Sequence, residues 1–368
     1  MSKKVRHVLG ISGGKDSAAL AIYLHQKYPQ LDIEYYTCDT GKELEETYAL
    51  VERLEGYLGK KITLLKAADK STQDPFDHFY HIYGGYLPSS NARWCTKKLK
   101  LEPFETFVGN DPVVSYVGIR GDEEREGYIS RKSNIQSIFP FRKNIWSEDV
   151  ITKVLKNENI PALKEIYEFK FGDTHNDRII EIIQQPICGK LTIPQKLNLL
   201  LNLSTKEFNH VVFEFLQTTN YPLAKENSFA LLDNEDVLVR DDIFSLLRNS
   251  GVGVPAYYEK VGFEVNGKKG EYARSRSGCY FCFFQQKIEW VWLYEQHPEK
   301  FKQAIEYEND KEGFTWNQNE SLKELILPER IEAIKTEFLN RDKSKAKSSY
   351  LVDVLDDTEM EGCAACFI

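Results

Sequence analysis

No stretch of the 368 residues is apolar over the length of a bilayer, which removes a helical membrane span from consideration. Met1–Gly10 carries positive residues but no apolar run of signal-peptide length, so a cytoplasmic protein without a membrane partner is expected. An excess of positive charge is missing too: 48 Lys and Arg stand against 56 Asp and Glu, a net charge of −8. That balance excludes a uniformly basic coat. Contact with nucleic acid would need local clusters of Lys and Arg, or a partner, because phosphates are neutralised by concentrated charge. Nor do the cysteines pair off, since there are seven of them. Two Cys-x-x-Cys pairs, Cys279/Cys282 and Cys363/Cys366, point in a reducing compartment to metal, cluster or redox chemistry sooner than to disulfides.

What is present can bury a sizeable core. With 42% hydrophobic residues, the length fits one large domain with an insertion, or two domains. Val5–Ile11, Ile33–Cys38, Lys61–Lys66 and Val113–Ile119 read as strands, and Ser17–Tyr28 and Leu44–Leu58 as helices between them. The alternation predicts an α/β fold with a doubly wound, mostly parallel sheet over 1–145, whose ligands bind at the carboxyl ends of the strands. Ser12, Asp39 and Arg120 all follow strands. Residues 146–250 carry helical periodicity and read as a mainly helical insertion. A weak echo links Asp149-Val150-Ile151 with Asp242-Ile243-Phe244, which reads either as two ordinary helix-turn units or as one motif that roughly residues 168–240 interrupt or extend. Residues 251–339 hold Cys279 and Cys282 and an aromatic-rich helical stretch, Lys287–Ile305. Residues 340–368 read as a polar linker, Asn340–Ser349, and a cysteine-containing tail.

The most informative segment is Ser12-Gly13-Gly14-Lys15-Asp16-Ser17, between a predicted strand and a predicted helix. Two glycines let the backbone approach an anion, and a helix start offers unpaired N–H groups and a positive dipole end. Lys15 adds charge, and Ser12 and Ser17 add hydroxyls. Asp16 beside a phosphate makes sense if it holds Mg²⁺. This is not a Walker A loop, which needs four residues between its glycines and Ser or Thr after the Lys.

The segment resembles the Ser-Gly-Gly-x-Asp-Ser signature of the ATP pyrophosphatase (PP-loop) superfamily, whose fold is adenine nucleotide alpha-hydrolase-like. Asp39-Thr40-Gly41 with Glu43 and Thr47 is similar to a segment of the 3′-phosphoadenylylsulfate reductase branch. So are Cys95 with Lys100 and Pro103, Gly118-Ile119-Arg120 with Asp122-Glu123, Trp146 with Asp149-Val150, and Gly278-Cys279-x-x-Cys282. The resemblance implies that Ser12–Ser17, Asp39, Thr40, Gly41, Gly118 and Arg120 bind ATP, with Lys15, Asp16, Cys95 and Arg120 catalytic and Asp16 on Mg²⁺. Read from the residues alone, Asp39–Gly41 is equally a strand-closing turn, and Arg120 after a strand can pair with a phosphate, a surface ion pair with Asp122, Glu123 or Glu124 being the alternative.

The same resemblance bears on the cysteines. Adenylylsulfate reductases of the branch hold a [4Fe–4S] cluster with a Cys-Cys pair and a later Cys-x-x-Cys. Here Trp94-Cys95 replaces the pair, which leaves Cys95, Cys279 and Cys282 as ligands, with Cys188 a possible fourth. A three-cysteine cluster would keep one iron open, as in tRNA thiolases of the superfamily. A Zn²⁺ site and plain buried thiols are the alternatives. Reductases of the branch end in a tail cysteine followed by His, which Glu361–Cys366 does not reproduce. The expectation is therefore ATP-dependent sulfur transfer, closest to DNA phosphorothioation proteins, with a cysteine desulfurase as donor and DNA as acceptor beside other modification-complex proteins. The alternatives are an adenylylsulfate or phosphoadenylylsulfate reductase, and a nucleotide-binding subunit of a defence complex.

Overall fold

A computed structural model describes residues 4–123, 130, 132–172, 177–309, 312–317 and 320–345. Five parallel strands, β1 (Arg6–Gly10), β2 (Ile33–Asp39), β3 (Ile62–Lys66), β4 (Val113–Tyr116) and β5 (Ile135–Ile138), form a sheet in the order β3-β2-β1-β4-β5. The strands are short, and β1, β2 and β4 are rich in Val, Ile, Leu and Tyr, as strands covered on both faces are, whereas the edge strand β3 is largely exposed. Helices α1 (Lys15–Lys27) and α2 (Glu45–Leu58) connect the first three. The order reverses at β1, whose neighbours are β2 and β4. A doubly wound sheet opens its ligand crevice there, and Ser12–Ser17 leaves the carboxyl end of β1.

The helical stretch after Trp146 does not have a core of its own. Val150, Ile183, Phe208, Val212, Ile243 and Leu247 share one buried cluster with Leu9, Ala18, Leu20 and Leu50 of the nucleotide-side elements. Helix Arg240–Asn249 packs on α1. The boundary expected at 145/146 is thus a change of secondary structure within one packed body. The longest helix, Ile193–Leu216, is broken at Ser204, which leaves helical dihedrals. Its hydroxyl accepts from the Glu207 amide and so starts the second half.

Two further expectations need correction, and the helical stretch Lys287–Ile305 gains a break. Residues 251–339 contain an antiparallel hairpin, β6 (Val261–Val265) and β7 (Lys268–Tyr272), turned by Asn266 and Gly267 with φ of 51° and 68°. Two positive φ values make the tight turn whose twist suits a hairpin. Lys287–Ile305 is two helices, Lys287–Gln296 and Pro298–Glu306, because Pro298 suits a first helical turn and not an interior. The polar stretch expected as a linker from Asn340 continues helix Pro328–Lys345, whose Ile334 and Leu339 are buried and whose Lys and Arg are good helix formers. Cys363, Cys366 and the rest of the expected tail lie outside the described residues. No helix among the described residues is long and apolar enough to cross a membrane.

Candidate functional site

The loop Ser12–Ser17 is closed by its own hydroxyls. The Ser12 amide donates to Ser17 Oγ at 3.1 Å, and the Gly14 amide to Ser12 Oγ at 3.3 Å. Gly13 has φ of +70°, and a Cβ there would stand 2.2 Å from Thr47 Cγ2. A Cβ on Gly14 would meet Ser277 Oγ at 2.4 Å, and one on Gly118 the Asp16 carbonyl oxygen at 2.9 Å. Glycine is demanded at these positions by neighbours from three separate parts of the chain.

Two residues that sequence reasoning missed hold the loop from behind. Tyr257 donates its hydroxyl to the Gly13 carbonyl at 2.9 Å, and the Lys15 amide donates to the Tyr258 hydroxyl at 3.4 Å. No spacing marks this pair; only twin tyrosines after Pro255 single it out.

The charges are matched internally. Asp16 accepts from Arg120 Nη1 at 2.8 Å, and its other oxygen lies 3.2 Å from Lys15 Nζ. Arg120 also reaches Asp122 at 2.9 Å and Glu123 at 2.6 Å. Burial works against the Asp16 carboxylate, but Lys15 and Arg120 outweigh it and hold its pKa below 3.8. Burial likewise opposes the Arg120 cation, and Asp16 and Glu123 overcome it. The ion-pair reading of Arg120 therefore describes this structure, though as a buried cluster and not a surface pair. Both Asp16 oxygens face cations, so a metal on Asp16 would displace one of them.

Asp39, Thr40 and Gly41 close β2 as a turn and line the same crevice. A cavity of about 160 Å³ is bordered by Ser12, Cys38, Asp39, Glu43, Thr47 and Tyr48. Asp39 accepts from the Gly41 amide at 2.8 Å and from the Tyr48 hydroxyl at 2.9 Å. Glu43 accepts from Thr40 at 2.6 Å, and burial raises its pKa.

This turn also docks the cysteines. Glu43 and Cys279 pair as an antiparallel bridge, and the Tyr280 amide donates to the Lys42 carbonyl at 2.8 Å. Thr40 Oγ1 lies 3.2 Å from Cys279 Sγ. The Cys282 amide donates to the Cys279 carbonyl at 3.2 Å, so the pair forms one tight turn. Burial, then the nearby Glu43, pushes the Cys279 thiol well above its ordinary pKa of 9.0. Burial pushes the Cys38 thiol up to about 12, consistent with a core position. Cys95, next to buried Trp94, packs against the same aromatic cluster, where Phe76, Trp94, Phe281 and Trp316 meet.

A cluster or zinc ion is a poor fit to this arrangement. Among the described residues no three His, Cys, Asp or Glu side chains are grouped so as to hold a metal ion. Cys188 is exposed, in a bridged turn before helix Ile193–Leu216, and borders a different cavity with Trp146, Thr192 and Leu197. The structure does not bring it to Cys279. Two cations near the cysteine turn, at positions where the sequence clusters Lys97, Lys98 and Lys100 and Arg274 and Arg276, are engaged within the fold. Arg274 is 2% exposed and donates to the Cys279 carbonyl at 3.0 Å, and Lys98 pairs with Glu102 at 2.8 Å.

Known proteins place this geometry. Residues 6–173 match the phosphoadenosine phosphosulfate reductase domain. An uncharacterised protein of Methanocaldococcus jannaschii is 33% identical over 178 residues, 45% of this chain and 34% of that protein. The adenosine 5′-phosphosulfate reductase of Staphylococcus haemolyticus is 24% identical over 159 residues, 42% of this chain and 62% of the enzyme. A second uncharacterised M. jannaschii protein is 25% identical over 159 residues, and the chain covers 36% of its length. The chain thus spans about a third of the two M. jannaschii proteins and 62% of the reductase. No solved structure matches it. Residues 6–173, which carry the β1 loop and the order-reversing sheet, are thus similar to the phosphoadenosine phosphosulfate reductase domain.

Proposed function

We propose that the chain is an ATP pyrophosphatase that drives sulfur transfer to the backbone of DNA. The observation that carries this reading is the loop Ser12–Ser17, shaped by Gly13 and Gly14 at the switch point of the sheet, with Lys15 beside it. Amides and cations so placed stabilise the charge that develops on departing pyrophosphate. Mg²⁺ belongs here to the substrate, arriving on the phosphates of ATP. A non-bridging phosphate oxygen of the acceptor attacks the α-phosphorus, the α–β anhydride bond breaks, and pyrophosphate leaves. Sulfur then attacks the acceptor phosphorus, and AMP departs with the displaced oxygen. With a persulfide from a cysteine desulfurase as donor, the terminal sulfur bonds to phosphorus, and a second thiol then attacks the inner cysteine sulfur, forming a disulfide with it and leaving the terminal sulfur on phosphorus. Other proteins of a modification complex would present the DNA. No step is assigned to Cys95, Cys279 or Cys282 as cluster ligands. Iron and zinc analysis of anaerobically purified protein tests that choice by itself.

Product analysis decides the ATP step. AMP and pyrophosphate are expected, and ADP with orthophosphate would refute the pyrophosphatase assignment. For the acceptor, ATP, Mg²⁺, donor and DNA are supplied, and digested DNA is examined by mass spectrometry for sulfur-bearing dinucleotides. A second reading, reduction of adenylylsulfate, is favoured by the similarity to the S. haemolyticus reductase. Release of sulfite from adenylylsulfate, with none of the sulfur in DNA, would establish it instead.

A further inference from the structure

A second cavity opens at the other edge of the sheet, and none of the residues that border it belongs to Ser12–Ser17. It measures about 450 Å³ and is bordered by Phe139, Trp146, Ile151, Ile187, Ile193 and Leu197. Phe139 directly follows β5, so the cavity stands at the carboxyl end of that strand, where sheets of this kind place ligands. Its volume lies in the range of small-molecule sites, whose walls are mostly apolar. Phe139, Trp146 and Ile151 are buried, whereas Ile187, Ile193 and Leu197 are half-buried and form its rim.

The polar groups of this wall are spent on the fold itself. Trp146 Nε1 donates to Asn209 Oδ1 at 2.9 Å. Asn144 brackets the Trp146 backbone, accepting from its amide at 3.3 Å and donating to its carbonyl at 2.9 Å. The Thr192 amide and hydroxyl both donate to Gln195 Oε1, at 2.8 and 3.1 Å. The turn at the rim is pinned as well. Cys188 and Leu191 exchange backbone hydrogen bonds at 3.0 and 3.1 Å, and the Asn157 side chain holds the Ile187 amide at 2.6 Å and its carbonyl at 3.1 Å. What these residues offer a ligand is mainly ring and aliphatic surface, held in a fixed shape before anything binds.

Arg142 and Glu148 bring one charge of each sign to the cavity, and Arg142 Nη2 donates to the Glu123 carbonyl at 2.5 Å. A net charge on the ligand gains nothing from such a border and gives up its hydration. A flat uncharged ring instead releases water from the apolar walls and can pack on the Phe139 and Trp146 rings.

We propose that this cavity is a binding site for a small uncharged aromatic molecule, separate from the nucleotide crevice. The site stands apart from the ATP and DNA readings and does not rest on either.

Cys188, exposed at the border of the cavity, supplies the handle for the test. The full chain is equilibrated with small disulfides in 2-mercaptoethanol, and capture at Cys188 is read by peptide mass spectrometry. A disulfide bearing a phenyl ring should withstand about tenfold more 2-mercaptoethanol than one of equal length ending in a hydroxyl. A carboxylate or an ammonium group on the ring should remove most of that preference. Leu197→Glu and Ile187→Glu, both at the half-buried rim and each checked for folding by circular dichroism, should bring ring and hydroxyl probes to within about twofold of each other. Indole needs no thiol and gives a second reading, since its saturation-transfer NMR signal on the unlabelled chain should weaken in both variants. Equal capture of ring and hydroxyl probes by the native chain would overturn the proposal. So would a ring preference and an indole signal that both folded variants keep. ATP affinity by calorimetry should stay within about twofold in the two variants. Its loss in both would mean that cavity and crevice are one site, which also overturns the proposal. A native chain that binds no ATP would count against the pyrophosphatase reading alone, because capture at Cys188 is read without nucleotide.

Discussion

Arg120 Nη1 lies 2.8 Å from the Asp16 carboxylate, a buried pair that joins positions 104 residues apart and ties the end of β4 to the loop after β1. Removing one partner strands the others. Arg120→Met leaves Asp16, Asp122 and Glu123 without their shared cation, and should lower unfolding free energy in urea by about 3–5 kcal/mol. Arg120→Lys keeps the charge without the fork and should fall between this variant and the native chain.

The same pair sets a pH response. The folded-state pKa of Asp16 lies below 3.8, so in the unfolded chain the group takes up protons first on acidification. Stability from this group is present above about pH 4 and is lost as pH falls through and below that value. Asp16→Asn should have a shallower acid limb than the native chain when chemical unfolding is followed between pH 5 and pH 3. Parallel limbs would contradict the assigned shift.

Gly13→Ala tests the loop. Positive φ alone costs an L residue about 1–2 kcal/mol, and the new methyl group would lie against Thr47 Cγ2. ATP affinity should drop at least about tenfold by calorimetry, at 1.4 kcal/mol per factor of ten. Thr47→Ser, which removes Cγ2, should restore only part of that loss, because the dihedral cost remains.

Thiol reactivity should rank by burial. Cys188 is exposed, whereas the Cys38 and Cys279 thiols are held protonated by their surroundings. Brief iodoacetamide treatment at pH 8, read by peptide mass spectrometry, should label Cys188 well before Cys38 or Cys279. Rapid labelling of Cys279 would mean that its turn opens in solution.

How much of this was legible beforehand depended on whether the signal was local. β1, β2 and β3 announce themselves by apolar runs, and the PP-loop by consecutive glycines. β5 does not, since Ile135-Gln136-Ser137-Ile138 places two polar residues in a strand buried along its whole length. Gln136 belongs there because its side-chain oxygen accepts from the Leu223 amide at 3.1 Å, a partner no window around β5 contains. The hairpin at Asn266-Gly267 was readable from its turn pair and was overlooked beside the stronger helical pattern that follows. Ser12–Ser17 follows β1 and Asp39–Gly41 closes β2, positions that the apolar runs before them already mark. Tyr257 and Tyr258 reach the loop across 244 and 243 residues of sequence, and Arg274 is buried by folding despite a surface-like composition. The cysteine set is the instructive gap. Sequence spacing puts Cys279 and Cys282 together, but whether Cys95 joins them as a ligand is a matter of tertiary distance.

The bridge between Glu43 and Cys279 has an evolutionary consequence. The family match covers residues 6–173, yet the tyrosines behind the loop and the serine beside Gly14 come from beyond residue 250. The matched domain is therefore smaller than the unit that holds its loop in place. A fragment cut at the end of the shared stretch would keep every signature residue of its loop and lose the scaffolding that presents them. A chain that kept the first part and exchanged the second would retain the loop's residues while changing what supports them.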